Sequence, residues 1–147
     1  NMRRSEALAK QMQGEAQKGV VYALRAYIRN RTLAGDRTRE RNLLINREIR
    51  SFSREDRKLL LGSVVDNVRT CERLLVKGVE LGEFKVRSTF LLAHEIAMIA
   101  YNWGQRKWLL GQYTTIEEYI REWTENILDL VLVDRENRHG VEEMKMR

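Results

Sequence analysis

Apolar residues recur along this chain at intervals of three and four, in blocks closed by glycine or opened by a capping residue and its acids. From about Glu15 to Leu33, the residues Val20, Val21, Leu24, Tyr27 and Ile28 share one helical face. Gly35-Asp36 reads as a C-terminal glycine followed by an N-cap. The helix it opens carries Leu43, Leu44, Ile45 and Ile49 and ends near Ser51-Phe52. Ser53, with Glu55 and Asp56 behind it, starts a long helix over about 53–81. Leu61, Val64, Val65, Val68, Cys71, Leu75 and Val79 line its predicted buried side, and Gly82 in "ELGEF" terminates it. Ser88 caps a helix over about 89–110, closed by Gly111. Phe90, His94, Ala97, Tyr101 and Trp108 form one stripe on it, and Leu92, Ile96, Ile99 and Trp103 another. Thr114-Thr115-Ile116-Glu117 reads as a capping box for the last helix, about 115–133. There Ile116, Ile120, Trp123, Ile127 and Leu130 make a seam in steps of four and three. Residues 5–13 read as weakly helical up to Gly14, and the chain turns polar from Asp134.

The pattern predicts an all-α fold of five to six helices, divided as 1–14 (the end of a connecting helix or linker), 15–133 (one packed domain) and 134–147 (a polar tail). There is no internal repeat and no low-complexity segment.

The stretch "AYNWGQRKWLLGQYTTIEEY", residues 100–119, asks for cover over Tyr101, Trp103, Trp108, Tyr113 and Tyr119. Off the last seam, Tyr119, Leu128, Val131, Leu132 and Val133 add a second apolar surface. The last two helices thus carry more apolar surface than a small monomer hides. The expectation is a two-fold homodimer joined through 89–110 and 115–133, with Trp108, Ile116, Ile120, Trp123, Ile127 and Val131 at the interface.

Composition narrows the class. The 147 residues suit one domain with a core of its own. The absence of proline, nine glycines and 33% charged residues favour a soluble, nearly all-helical protein. Cys71 is the single cysteine, which excludes an intrachain disulfide and suits a reducing cytosol. No run reaches the roughly 18 apolar residues of a membrane span, and no signal peptide is legible, so the expected location is cytoplasmic. The opening Asn1-Met2-Arg3 marks an arbitrary start. The net charge of +6 is unevenly placed: residues 1–50 hold 12 Lys/Arg and 5 Asp/Glu, residues 51–147 hold 15 and 16. A basic first half suits either a nucleic-acid surface or a solvated helical face.

Catalytic constellations are missing. His94-Glu95 begins like a zinc-protease motif, but Met98 stands where the second histidine is required. The other histidine, His139, lies in the polar tail. No glycine-rich phosphate loop or nucleophile elbow occurs. Cys71 faces an apolar stripe as a core cysteine, and Glu117-Glu118 serve the helix start. The reading is a non-enzyme without metal or cofactor. Polar residues on apolar faces point instead to a ligand cavity lined by Tyr27, Arg50, Val68, Cys71, His94, Met98 and Asn102. Positions 94, 98 and 102 stack by fours on one helix, and Arg50 is placed to anchor an acid.

With these elements in place, the chain resembles the C-terminal, effector-binding half of TetR-family transcriptional regulators over about residues 15–131. The segments that carry the resemblance are "REIRSFSREDRKLLL", "LLVKGVELGEF", "HEIAMIAYNW" and "YTTIEEYIREWTENIL", in that order. The resemblance implies a bacterial repressor-type regulator, an all-α domain whose last two helices form a four-helix bundle with a second subunit, and a ligand cavity among the helices at 15–33, 36–52, 53–81 and 89–110. It implies a small amphipathic or hydrophobic effector, for which an acyl thioester, a fatty acid and a steroid-like acid qualify equally. Family members carry an N-terminal helix-turn-helix domain, and no part of residues 1–50 reads as one. Operator DNA would therefore be bound only through that missing domain. The alternative reading is a stand-alone basic helical protein that binds nucleic acid through its first half.

Overall fold

The computed structural model describes residues 19–134 together with Arg3, Glu6, Ala7, Ala9 and Lys10. Gly14, His139 and most of the two terminal segments named above lie outside the described residues. The elements are α1 (Val20–Arg37), α2 (Arg39–Glu48), a 3-10 turn (Ile49–Ser51), α3 (Arg54–Glu80), α4 (Thr89–Gln105), the single-turn α5 (Lys107–Leu110) and α6 (Ile116–Val131). The fold is all-α. Its one extended pairing among the described residues is an isolated antiparallel bridge between Phe84 and Leu132.

Helix α1 is the central element because its apolar face is wide. Val20, Val21, Ala23, Leu24, Tyr27 and Ile28 are all buried, packed against α3, α4 and α6. The facing residues are Val68, Cys71, Leu74 and Leu75 of α3, Ala93 and Ile96 of α4, and Ile127, Leu128 and Val131 of α6. Two ion pairs reinforce α1 against α6: Arg25 to Glu125 at 2.8 Å, and Arg29 forked onto both carboxylate oxygens of Glu117 at 2.8 and 3.0 Å. Both pairs are solvent-accessible, so they align the helices more than they stabilise them.

Capping follows the sequence signals, with one shift. Ser53 and Ser88 accept from the backbone amides of Asp56 and Leu91, at 3.1 and 3.3 Å. In the last helix the cap is Thr115, which accepts from the amide of Glu118. The box therefore starts one residue later than the sequence reading placed it, and Glu117 is free to meet Arg29.

Gly35 does not have the role read for it in sequence, and Gly78 has one that the sequence reading did not assign. Gly35 does not end its helix: α1 runs on to Arg37 and breaks at Thr38. Helix α1 crosses α4 at close range there, and the position that needs glycine is Gly104. A Cβ on Gly104 would stand 3.0 Å from the Gly35 carbonyl oxygen. Gly78 in "KGVELGEF" is buried under the Phe84 ring. After Gly82 turns the chain with φ 74°, the amides of Glu83 and Phe84 both return to the Gly78 carbonyl at 3.0 Å. Phe84 is thereby delivered to the core. Lys85 then donates to the Val131 carbonyl at 2.7 Å, and Val133 donates to that of Glu83 at 3.1 Å. This short motif ties the end of α3 to the end of α6.

Helix α3 departs most from expectation. Its burial begins at Val68; Leu61, Val64 and Val65 are each more than half exposed, and Val79 at the other end is also exposed. The first three turns extend past the core formed by α1, α4 and α6. Helix α2 buries no residue either. It is held by polar bonds, with the Asn46 amide donating to the Tyr101 hydroxyl and to Gln105 Oε1.

Candidate functional site

The aromatic stretch is covered only in part. Trp103 is buried and its Nε1 donates to Asp36 at 2.9 Å, where Lys107 also donates at 2.8 Å. Those bonds, with Lys107 the largest contributor, hold the Asp36 carboxyl below its usual range. Tyr119 stacks at 5.2 Å on Trp103, and its hydroxyl donates to the Ile99 carbonyl at 2.5 Å. Burial raises that phenol to about 12. Trp123 continues the series at 6.5 Å from Tyr119, but on the outside. A ladder of three rings therefore runs from the core to the surface and locks α6 onto α4.

Beyond the ladder, large apolar side chains on both helices stay exposed among the described residues. Trp123 is 37% exposed, Leu130 66%, Leu91 65% and Met98 36%. Leu91 and Met98 are seven residues apart on α4, as are Trp123 and Leu130 on α6, so each pair marks one outward stripe. Ile116, half-buried, extends the α6 stripe by another seven. Trp108 and Tyr113, in and after α5, are also exposed.

The six predicted interface residues divide accordingly. Trp108, Ile116 and Trp123 reach the surface. Ile127 and Val131 are core residues instead, packed under α1 with Leu128, and Ile120 is buried as well. The apolar arc of α6 is wider than a two-stranded seam, and its inner part is consumed by the chain's own core. Leu130 was already on the α6 seam read from sequence, whereas Leu91 was assigned no role and Met98 was assigned to the cavity; their seven-residue spacing was legible.

The predicted cavity is not assembled. Tyr27, Val68 and Cys71 come together, but in closed packing: the Tyr27 hydroxyl donates to Asn67 Oδ1 at 3.0 Å, and burial pushes both the phenol and the Cys71 thiol well up. Arg50, His94, Met98 and Asn102 are exposed, the first on the 3-10 turn and the others on the outer side of α4. Spacing by fours did put 94, 98 and 102 on one side of their helix. It was the wrong side, because Ala93, Ile96, Ala100 and Trp103 are the inward residues. His94 lies 3.4 Å from its neighbour Glu95, a surface contact between adjacent residues.

Among the described residues no group of three or more His, Cys, Asp and Glu side chains could hold a metal ion, and no helix is long and apolar enough to cross a membrane. Comparisons with protein-family models, curated proteins and solved structures return no match.

Proposed function

We propose that this chain is the dimerising, effector-responsive domain of a TetR-type transcriptional regulator. The observation that carries the reading is the pair of outward apolar stripes, Leu91 and Met98 on α4 and Trp123 and Leu130 on α6, on two helices locked together by the Trp103–Tyr119–Trp123 ladder. A second copy related by a two-fold axis would cover four helices' worth of such surface at once. On this reading His94 and Asn102, lying beside Met98, belong to the subunit interface and not to a pocket. The segment resemblance supplies the regulator context. The effector would act where α3 leaves α1, beside the Tyr27–Asn67 hydrogen bond, by favouring one packing of that helix over another.

Light scattering tests the assembly: the expected species at micromolar concentration is a dimer. Trp123→Glu should give monomer, since it would bury an unpaired charge at the interface. A wild-type monomer with unchanged helicity would end the dimer reading. Effector response is tested separately, by thermal melting with medium-chain acids and acyl thioesters. No shift with any of them would remove that chemistry from the proposal while leaving the dimer standing.

A further inference from the structure

The corner formed by the end of α1, all of α2, the 3-10 turn and the start of α3 is the most cationic part of the described surface. Residues 37–58 contain eight Lys/Arg and four Asp/Glu. Seven of the eight are arginine: Arg37, Arg39, Arg41, Arg47, Arg50, Arg54 and Arg57, with Lys58 beside them. Arg47 is paired with Glu48 at 2.9 Å, and Arg39 lies close enough to Asp36 to lower its pKa. The other six are exposed and form no ion pair among the described residues. Elsewhere Arg25 and Arg29 of α1 and Arg121 of α6 each engage a carboxylate.

We infer that this corner is a sequence-independent contact surface for the phosphate backbone of duplex DNA. Six exposed like charges within 22 residues, without ion-pair partners among the described residues, work against stability, which an anionic partner would relieve. Arginine outnumbers lysine seven to one, and its planar fork meets two phosphate oxygens at once. Helix α2 is about 15 Å long, and a duplex presents one phosphate per roughly 1.7 Å of axis, so enough phosphates lie within its length to meet the six cations. Of the four acids, Glu48 is engaged by Arg47, while Glu40 in the first turn of α2 and Glu55 and Asp56 in that of α3 sit at positive helix starts. The inference does not rest on the regulator reading, and a monomer would show the same binding.

The experiment is fluorescence anisotropy of a labelled duplex of arbitrary sequence, titrated with the 147-residue chain at several salt concentrations. Six phosphate contacts predict a log–log slope of roughly −5, and about a thousandfold loss of affinity between 50 and 200 mM salt. Arg41→Gln/Arg50→Gln/Arg54→Gln should make the slope shallower by about 3 and weaken binding to every sequence alike. The control is Lys77→Gln/Lys85→Gln/Arg87→Gln. It removes the same charge from around the α3–α4 turn, at the far end of α4 from α2, and should leave the slope unchanged. Circular dichroism confirms that both variants keep their helices. Equal losses in the two triples would overturn the inference, since net charge alone would then explain binding. So would an absence of binding at 50 mM salt. Exposed Leu43 and Leu44 on α2 make anionic lipid the competing partner, so binding to phosphatidylserine vesicles without DNA binding would also overturn it.

Discussion

The same substitution at two glycines of α3 should change stability in opposite directions. Gly62 lies in the protruding half of the helix, and a Cβ there would meet nothing within 4 Å. Gly62→Ala should therefore show the intrinsic helix preference for alanine, a gain of about 0.5–1 kcal/mol. At Gly78 a Cβ would stand 2.0 Å from Cδ2 of Phe84, with Cε2 and Cγ at 2.5 and 2.6 Å. The ring is 2% exposed and has no free space to retreat into. Its backbone is held as well, by the two bonds to the Gly78 carbonyl and by the bridge to Leu132. Relief requires moving Phe84 outward, which forfeits about 2–3 kcal/mol of burial. After the helix preference is subtracted, Gly78→Ala should destabilise by about 2 kcal/mol. For a chain of this size that is a fall in melting temperature of roughly 4–8 °C. Urea unfolding followed at 222 nm, at one protein concentration for all three proteins, measures both. Equal stabilisation by the two alanines would refute the packing of Phe84 on Gly78 and with it the explanation of the "GVELGEF" segment.

Three further outcomes are expected. Asp36→Asn removes a carboxylate whose folded pKa is depressed, so its contribution is present at neutral pH and fades as pH falls through the acidic range. The variant should be less stable at pH 7, and the gap should close towards pH 3; a gap that widens on acidification would contradict the Lys107 and Trp103 bonds. Tyr27→Phe removes the donor to Asn67 within the core and should cost about 1 kcal/mol in urea unfolding with helicity intact. Leu130→Glu changes a residue that is 66% exposed. It should leave the unfolding free energy of a dilute monomeric sample within about 0.5 kcal/mol, while abolishing self-association in light scattering; loss of helicity instead would mean that Leu130 belongs to the chain's own core.

Local chemistry was readable in order. Ser53 and Ser88 cap the helices they were expected to open, and the last cap falls on Thr115, one residue after the expected Thr114, because a cap is a contact between near neighbours and needs no tertiary information. Gly82 turns the chain after α3 for the same reason, with a φ that glycine alone tolerates well. Gly35 misled because a glycine does not by itself end a helix: α1 runs on to Arg37, and the glycine that the crossing with α4 requires is Gly104, where a Cβ would stand 3.0 Å from the Gly35 carbonyl oxygen.

Periodicity specified that each helix has an apolar side, and on that basis the all-α class and the succession of elements could be written from the residues alone. It did not specify which part of a broad apolar arc meets the chain's own core. Ile120, Ile127 and Val131 went inward while Trp123 and Leu130 stayed outside; Val68 was buried while Val64, one turn earlier on the same stripe, was not. The choice depends on where α1 lies and how far it extends. Its apolar face covers α3 only from about Val68 onward and takes the inner half of α6, leaving the remainder for something else to cover. The seven residues expected around a cavity parted on the same ground. Val68 and Cys71 met Tyr27 of α1 in the core, Arg50 stayed exposed on the 3-10 turn, and the helix rotation that buried Ala93, Ile96 and Ala100 turned His94, Met98 and Asn102 to solvent. Hydrophobic spacing is a property of one helix. Facing is a property of the pair, and it is settled only when the partner is in place.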